Sequence, residues 1–203
     1  MNENQLKEVL DKCYDMALKG IPAVSSSVEE LGRDYLCKNS DVKKVAKSLV
    51  NYQIGKCATS GFLTGLGGFI TLPVAVPANV SSVLYVQLRM IACIAYMGGH
   101  DVKSDQVKTL AYVCLTGSGA ADILKSTGIK IGEKLTISMI KKIPGAVLTK
   151  INQKVGFRLL TKFGEKGAIN LVKMVPLAGG IIGGGVDATT TKIIAGNATK
   201  LFL

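Results

Sequence analysis

Residues 57–97 read CATSGFLTGLGGFITLPVAVPANVSSVLYVQLRMIACIAYM, and Arg89 is the one charged side chain among them. From Cys57 to Leu88 there is no charge at all, a run long enough to enter a bilayer. Gly61, Gly65, Gly67 and Gly68 nevertheless crowd its first part, and Pro73 and Pro77 bracket a turn. The stretch therefore reads as an apolar helical hairpin, with one arm over 57–72 and a second over 78–97. The second arm spans roughly 30 Å at the standard helical rise. In it Ser82, Tyr85, Arg89 and Tyr96 fall within an arc of about 60°. Gly61 and Gly65 form a GxxxG pair, a spacing that lets helices approach closely in lipid or in a tight core. Two arrangements stand open: a hairpin that inserts into or docks on a membrane, or the buried core of a soluble bundle. Arg89, the prolines and the short first arm sit more easily in the second.

Upstream, residues 3–18 place Leu6, Val9, Leu10, Cys13 and Ala17 on one helical face, and Gly20 and Pro22 end the pattern. A second short helix is expected from Val28 to Leu36. Asp41 is placed to cap a third, in which Val42, Val45, Ala46, Leu49, Val50 and Ile54 keep helical spacing. Downstream of Gly98-Gly99, Ser104 caps a helix expected to run on through LAYVCLTGSGAADILK to a stop at Gly128.

The charge pattern then changes. Between Ile123 and Val175 lie ten lysines and Arg158 against Glu133 and Glu165. Lys150, Lys154, Arg158, Lys162 and Lys166 recur every fourth residue, with Ile151, Val155, Leu159 and Phe163 one position later. On a helix these are adjacent basic and apolar stripes. Gly156 and Gly164 are places where it could bend. The closing segment is rich in glycine, with GxxxG pairs at Gly179–Gly183 and Gly180–Gly184. No β-alternation of any length occurs. The expectation is all-α: one domain over 1–203, a single helical bundle with amphipathic N-terminal helices (1–50), a central apolar hairpin (57–97), a basic amphipathic region (123–175) and a glycine-rich apolar C-terminal helix (176–203).

Composition agrees. Hydrophobic residues are 48% of the 203, aromatics 5%, and Trp is absent, which favours helix over strand. The mean hydropathy is +0.33. The net charge of +11 comes from 22 lysines and only three arginines, Arg33, Arg89 and Arg158. Planar recognition of phosphate or base edges favours arginine, so the excess suits an anionic surface, and nucleic acid is not expected as a partner. The five cysteines (Cys13, Cys37, Cys57, Cys93, Cys114) are odd in number, contain no CxxC, and three lie in apolar surroundings. Reduced thiols in the cytoplasm are expected. The N-terminal MNENQLKEVLDKCYDM has no signal-peptide core.

Parts for catalysis are few. His100 is the sole histidine and, after Gly98-Gly99, reads as an exposed loop residue. No metal-ligand set, Walker loop or dinucleotide fingerprint is present, so no cofactor, metal or catalytic residue is assigned and an enzyme is not expected. Three charges in apolar context, Arg89, Asp122 and Asp187, are candidates for a buried ion pair, because a charge taken from water needs a partner.

The strings LTGLGGFITLPVAVPANVSSVLYVQLRMIACIAYMGGHDV (63–102), KIGEKLTISMIKKIPGAVLTKINQ and KVGFRLLTKFGEKGAINLVKMVPLAGGIIGGGVDATTTKIIA (154–195) resemble the EcsC protein family. The resemblance covers most of the chain. It implies a bacterial or phage-encoded helical protein, cytoplasmic or membrane-associated, from a family named for a gene beside an ABC transporter. It brings no catalytic residue set. The leading expectation is a non-enzymatic protein at the cytoplasmic membrane face, an accessory or regulatory component with Lys150, Lys154, Arg158, Lys162 and Lys166 on anionic lipid. A transporter or other membrane complex is a candidate protein partner. The alternatives are a soluble helical adaptor with a buried apolar core and a membrane-disrupting effector.

Overall fold

A computed structural model describes residues 2–58, 78–129, 135–163 and 182–203, and the side chains of these except 56–58, 78–81, 162, 163 and 182–188. Among the described residues there are nine α-helices and no strand: α1 Glu3–Lys19, α2 Val28–Leu36, α3 Val42–Ala58, α4 Ala78–Met97, α5 Asp105–Leu115, α6 Ala120–Ser126, α7 Ile137–Lys141, α8 Gly145–Phe163 and α9 Ile182–Phe202. A 3-10 turn, Gly117–Gly119, joins α5 to α6. The chain is an all-α bundle.

Local chemistry sets the helix ends. Asn2 and Ser27 each accept from the backbone three residues on, while Gln5 and Glu30 reach back to the cap, so α1 and α2 both start with capping boxes. Asp41 Oδ1 accepts from the amides of Lys43 and Lys44, as its position predicts. Ser104 caps α5 through the amide of Val107. The helix expected to run unbroken from Ser104 to Gly128 is interrupted. Gly117 takes a φ of 63°, the left-handed region open chiefly to glycine, and this breaks it into α5, the turn and α6. Gly128, at φ 82°, is the stop the sequence indicates.

The centre of the bundle is α4, packed against α1, α2, α3, α5 and α9. No side chain from Ser82 to Met97 is exposed. Its aliphatic residues meet Leu6, Leu10 and Tyr14 of α1, Leu49 of α3, and Ile194, Ala198 and Phe202 of α9 in one core. At about 1.5–3 kcal/mol for each large side chain buried, this helix is the main source of cohesion. Its polar arc turns toward α1, α2 and their connection. Tyr85 Oη lies 2.6 Å from Ser25 Oγ, and Arg89 donates to Ala17 O and Ser26 Oγ. The ring of Tyr96 fills the space a side chain at Gly32 would need. No helix among the described residues is long and apolar enough to cross a membrane. The first arm of the hairpin, from residue 59, the GxxxG pair at 61–65, and Gly179 and Gly180 of the later pairs lie outside the described residues.

Candidate functional site

α8 has two sharply different faces. Leu148, Ile151, Val155 and Leu159 are buried, where α8 packs on α5 and α1, and Asn152 Nδ2 donates to Thr109 Oγ1 of α5. On the opposite face Lys150, Lys154, Phe157 and Thr161 share an arc of about 60°, all exposed, with exposed Arg158 on its flank. Phe157 is 67% exposed. Sequence reading found the basic and apolar stripes but missed this residue, which belongs to neither. Helical angle was the available signal, since it puts Phe157 among the lysines.

α7 also exposes apolar and cationic side chains. Thr136 caps that short helix through the amide of Met139, and Ile140 is buried. Ile137 and Met139 remain exposed, followed by exposed Lys141 and Lys142. The bound carboxylates lie elsewhere. Lys7–Asp11, Lys44–Asp41, Lys103–Glu29, Lys108–Asp11 and Lys108–Asp105 all belong to the first 108 residues. Among the described residues Lys141, Lys142, Lys150, Lys154 and Arg158 take part in no ion pair. The result is a cationic surface studded with large apolar side chains. Lys162 and Lys166, the rest of the expected stripe, lie outside the described side chains.

Arg158 has a defined seat. Its guanidinium lies over Gly119, occupying the space a Cβ there would take. Thr116, Gly117, Ser118, Thr161, Thr190 and Ile193 complete a cleft of about 400 Å³ around it. The turn that forms one wall is tied to α9 by Asn197, whose Nδ2 donates to Gly117 O at 2.8 Å.

The candidate ion pair of Arg89 with Asp122 is corrected. Arg89 is buried, and its guanidinium donates to Ala17 O at 3.4 Å and Ser26 Oγ at 3.2 Å. Asp122 is exposed in the first turn of α6, where a carboxylate favours the positive end of the helix dipole. The side chain of Asp187 lies outside the described residues. His100 is also corrected: it is buried, with Nε2 3.1 Å from Phe202 O and its ring edge-on to Phe202, because α9 returns to close over the Gly98-Gly99 turn. Among the described residues no three His, Cys, Asp or Glu side chains gather as a metal site would require.

Cys13, Cys93 and Cys114 are buried thiols in no disulfide, whereas Cys37 is an exposed one. Burial pushes the thiols of Cys13 and Cys93 up to about 12 and that of Cys114 higher still, so these three stay protonated and unreactive.

Fold and surface define a class: an α-helical protein whose apolar central helix is packed among five others and whose outer helix α8 exposes cations around a phenylalanine. The chain matches the model of the EcsC protein family over residues 5–203, and it belongs to that family. No curated protein and no solved structure matched it.

Proposed function

We propose that this EcsC family member is a non-enzymatic peripheral component of the cytoplasmic membrane face, an accessory or regulatory protein that holds anionic lipid through α7 and α8. The observation that carries the reading is Phe157, exposed between Lys150, Lys154 and Arg158 on the face opposite the buried stripe. An aromatic ring among cations is the composition of an interfacial helix: the ring enters the headgroup boundary while the charges meet anionic lipid. Each such cation contributes on the order of 1 kcal/mol near that surface. The enclosure of α4 favours docking over insertion, since its apolar face is already satisfied by protein. That same enclosure supports the second reading, a soluble adaptor whose apolar segment is simply its core.

Vesicle co-sedimentation separates the two. The protein should pellet with vesicles containing phosphatidylserine, not with pure phosphatidylcholine, and should release as salt rises. Lys150→Ala with Lys154→Ala should weaken binding by about thirtyfold. A protein that remains in the supernatant with both vesicle types would leave the adaptor reading.

A further inference from the structure

Lys141, Lys142, Lys150 and Lys154 are lysines on open surface, whereas Arg158 is an arginine in a cleft. Lysine is a compact point charge on a flexible stem, whereas arginine presents a rigid fork that matches phosphate oxygens in pairs. The Arg158 fork is positioned by construction. Gly119 has ordinary helical backbone angles, φ −82° and ψ −8°, so conformation alone does not call for glycine. What calls for it is space: a Cβ would stand 2.5 Å from Arg158 Nε. The turn beneath is held to α9 through Asn197. Ser118 and Thr190 bring hydroxyl donors to the same cleft. The hydroxyls of Thr116 and Thr161 already donate to Val113 O and Arg158 O. Among the described residues no carboxylate lines the cleft. Its volume of about 400 Å³ falls within the range of small-ligand sites, and exposed Ile193 gives it one apolar wall.

The geometry points to a subsite for a phosphomonoester, with Arg158 gripping the phosphate oxygens in a fork and Ser118 and Thr190 donating to the rest. The phosphate is carried either by a lipid headgroup or by a soluble ester. Only the lipid source rests on the membrane function proposed above; the subsite itself does not.

Two conservative variants test it. Arg158→Lys keeps the charge and loses the fork, and Gly119→Ala keeps every charge and pushes the guanidinium off its seat. The displaced group is the mobile end of an exposed side chain, so the fold should survive, with a thermal melt as control. Wild-type protein should bind phosphatidic acid vesicles about tenfold more tightly than phosphatidylserine vesicles of equal surface potential. Both variants should lose that preference, and Gly119→Ala, which removes no charge, should keep its phosphatidylserine binding. Lys150→Ala with Lys154→Ala should weaken both and keep the preference. Glycerol 3-phosphate, titrated by NMR or calorimetry, tests the soluble source. If it binds wild type, is weakened by both variants, and no vesicle binds, then the subsite stands and the membrane reading falls. If Arg158→Lys and Gly119→Ala match wild type toward both phosphatidic acid and glycerol 3-phosphate, the subsite is wrong.

Discussion

Arg89 is a charge in the middle of the core that answers to neutral oxygens. Ala17 belongs to the last turn of α1, whose carbonyls have no partners within the helix, and a cation there meets the negative end of the helix dipole. Arg89 therefore serves as a cap delivered from another helix. Arg89→Ala should lower stability in urea unfolding by about 2–4 kcal/mol, through lost packing and an orphaned carbonyl. Arg89→Met, which keeps most of the volume and adds no buried charge, should cost less. A change below about 0.5 kcal/mol for the alanine variant would remove the capping argument. The sequence made it plain that Arg89 needs a partner, and the polar arc it shares with Tyr85 and Tyr96 even marked the side of α4 that meets α2. It did not reveal which partner, because Ala17 lies 72 residues away and a backbone oxygen leaves no trace in composition. The cysteines give a simpler residue-scale test. Iodoacetamide at pH 8 should modify Cys37 in the native protein but reach Cys13, Cys93 and Cys114 only after denaturant is added, since burial holds those three protonated.

At the scale of elements, the polar part of the join between α1 and α5 centres on one carboxylate, beside the edge-on contact of Tyr14 with Tyr112. Tyr112 donates to Asp11 Oδ1 at 2.7 Å, Lys7 donates to Oδ2, and Lys108 stands 3.6 Å away. Burial raises the Asp11 carboxyl, but the bonds from Lys7 and Tyr112 and the charge of Lys108 outweigh it and hold the group below its ordinary 3.8. A depressed folded value means that the contribution is complete above the unfolded value and is lost as pH falls through the folded one. The join should therefore be intact at neutral pH and weaken from around pH 3.8 downward. Wild type should melt above Asp11→Asn at pH 7, and the gap should close as pH drops below 3.8. A gap unchanged at low pH would show that charge plays no part. Nothing in the spacing of Asp11, Lys108 and Tyr112 announces this join, since tertiary packing alone brings them together. Helix bounds were far more legible: Asn2, Ser27, Asp41 and Ser104 are local signals, and α4 starts and stops where Pro77 and Gly98 put it. The break at Gly117 was readable in principle from the glycines flanking Ser118. The apolar residues around them instead gave the impression of one continuous helix, and so the turn that seats Arg158 was not anticipated.

For the molecule as a whole, the question raised by the apolar hairpin becomes one of where free energy is already committed. From Ser82 to Met97 no side chain of α4 is exposed, so moving it into lipid would exchange close packing with five helices for packing with acyl chains. The hydrophobic gain has already been made within the protein, and lipid adds no further one. The outer surface of α7 and α8, in contrast, has cations in no ion pair among the described residues and an aromatic ring in water. Membrane engagement through that surface should leave the core closed. The chain has no tryptophan, so Phe157→Trp provides a single fluorophore at the centre of the proposed contact. With phosphatidylserine vesicles its emission should shift to the blue and be quenched by brominated acyl chains. Under the same conditions, the backbone amides from Leu84 to Met97 should keep their full protection in hydrogen exchange. The opposite pattern, with no quenching at position 157 and lost protection along α4, would mean that the bundle opens and the hairpin inserts. The two mechanisms engage different parts of the chain, so quenching and exchange measured on one sample decide between them.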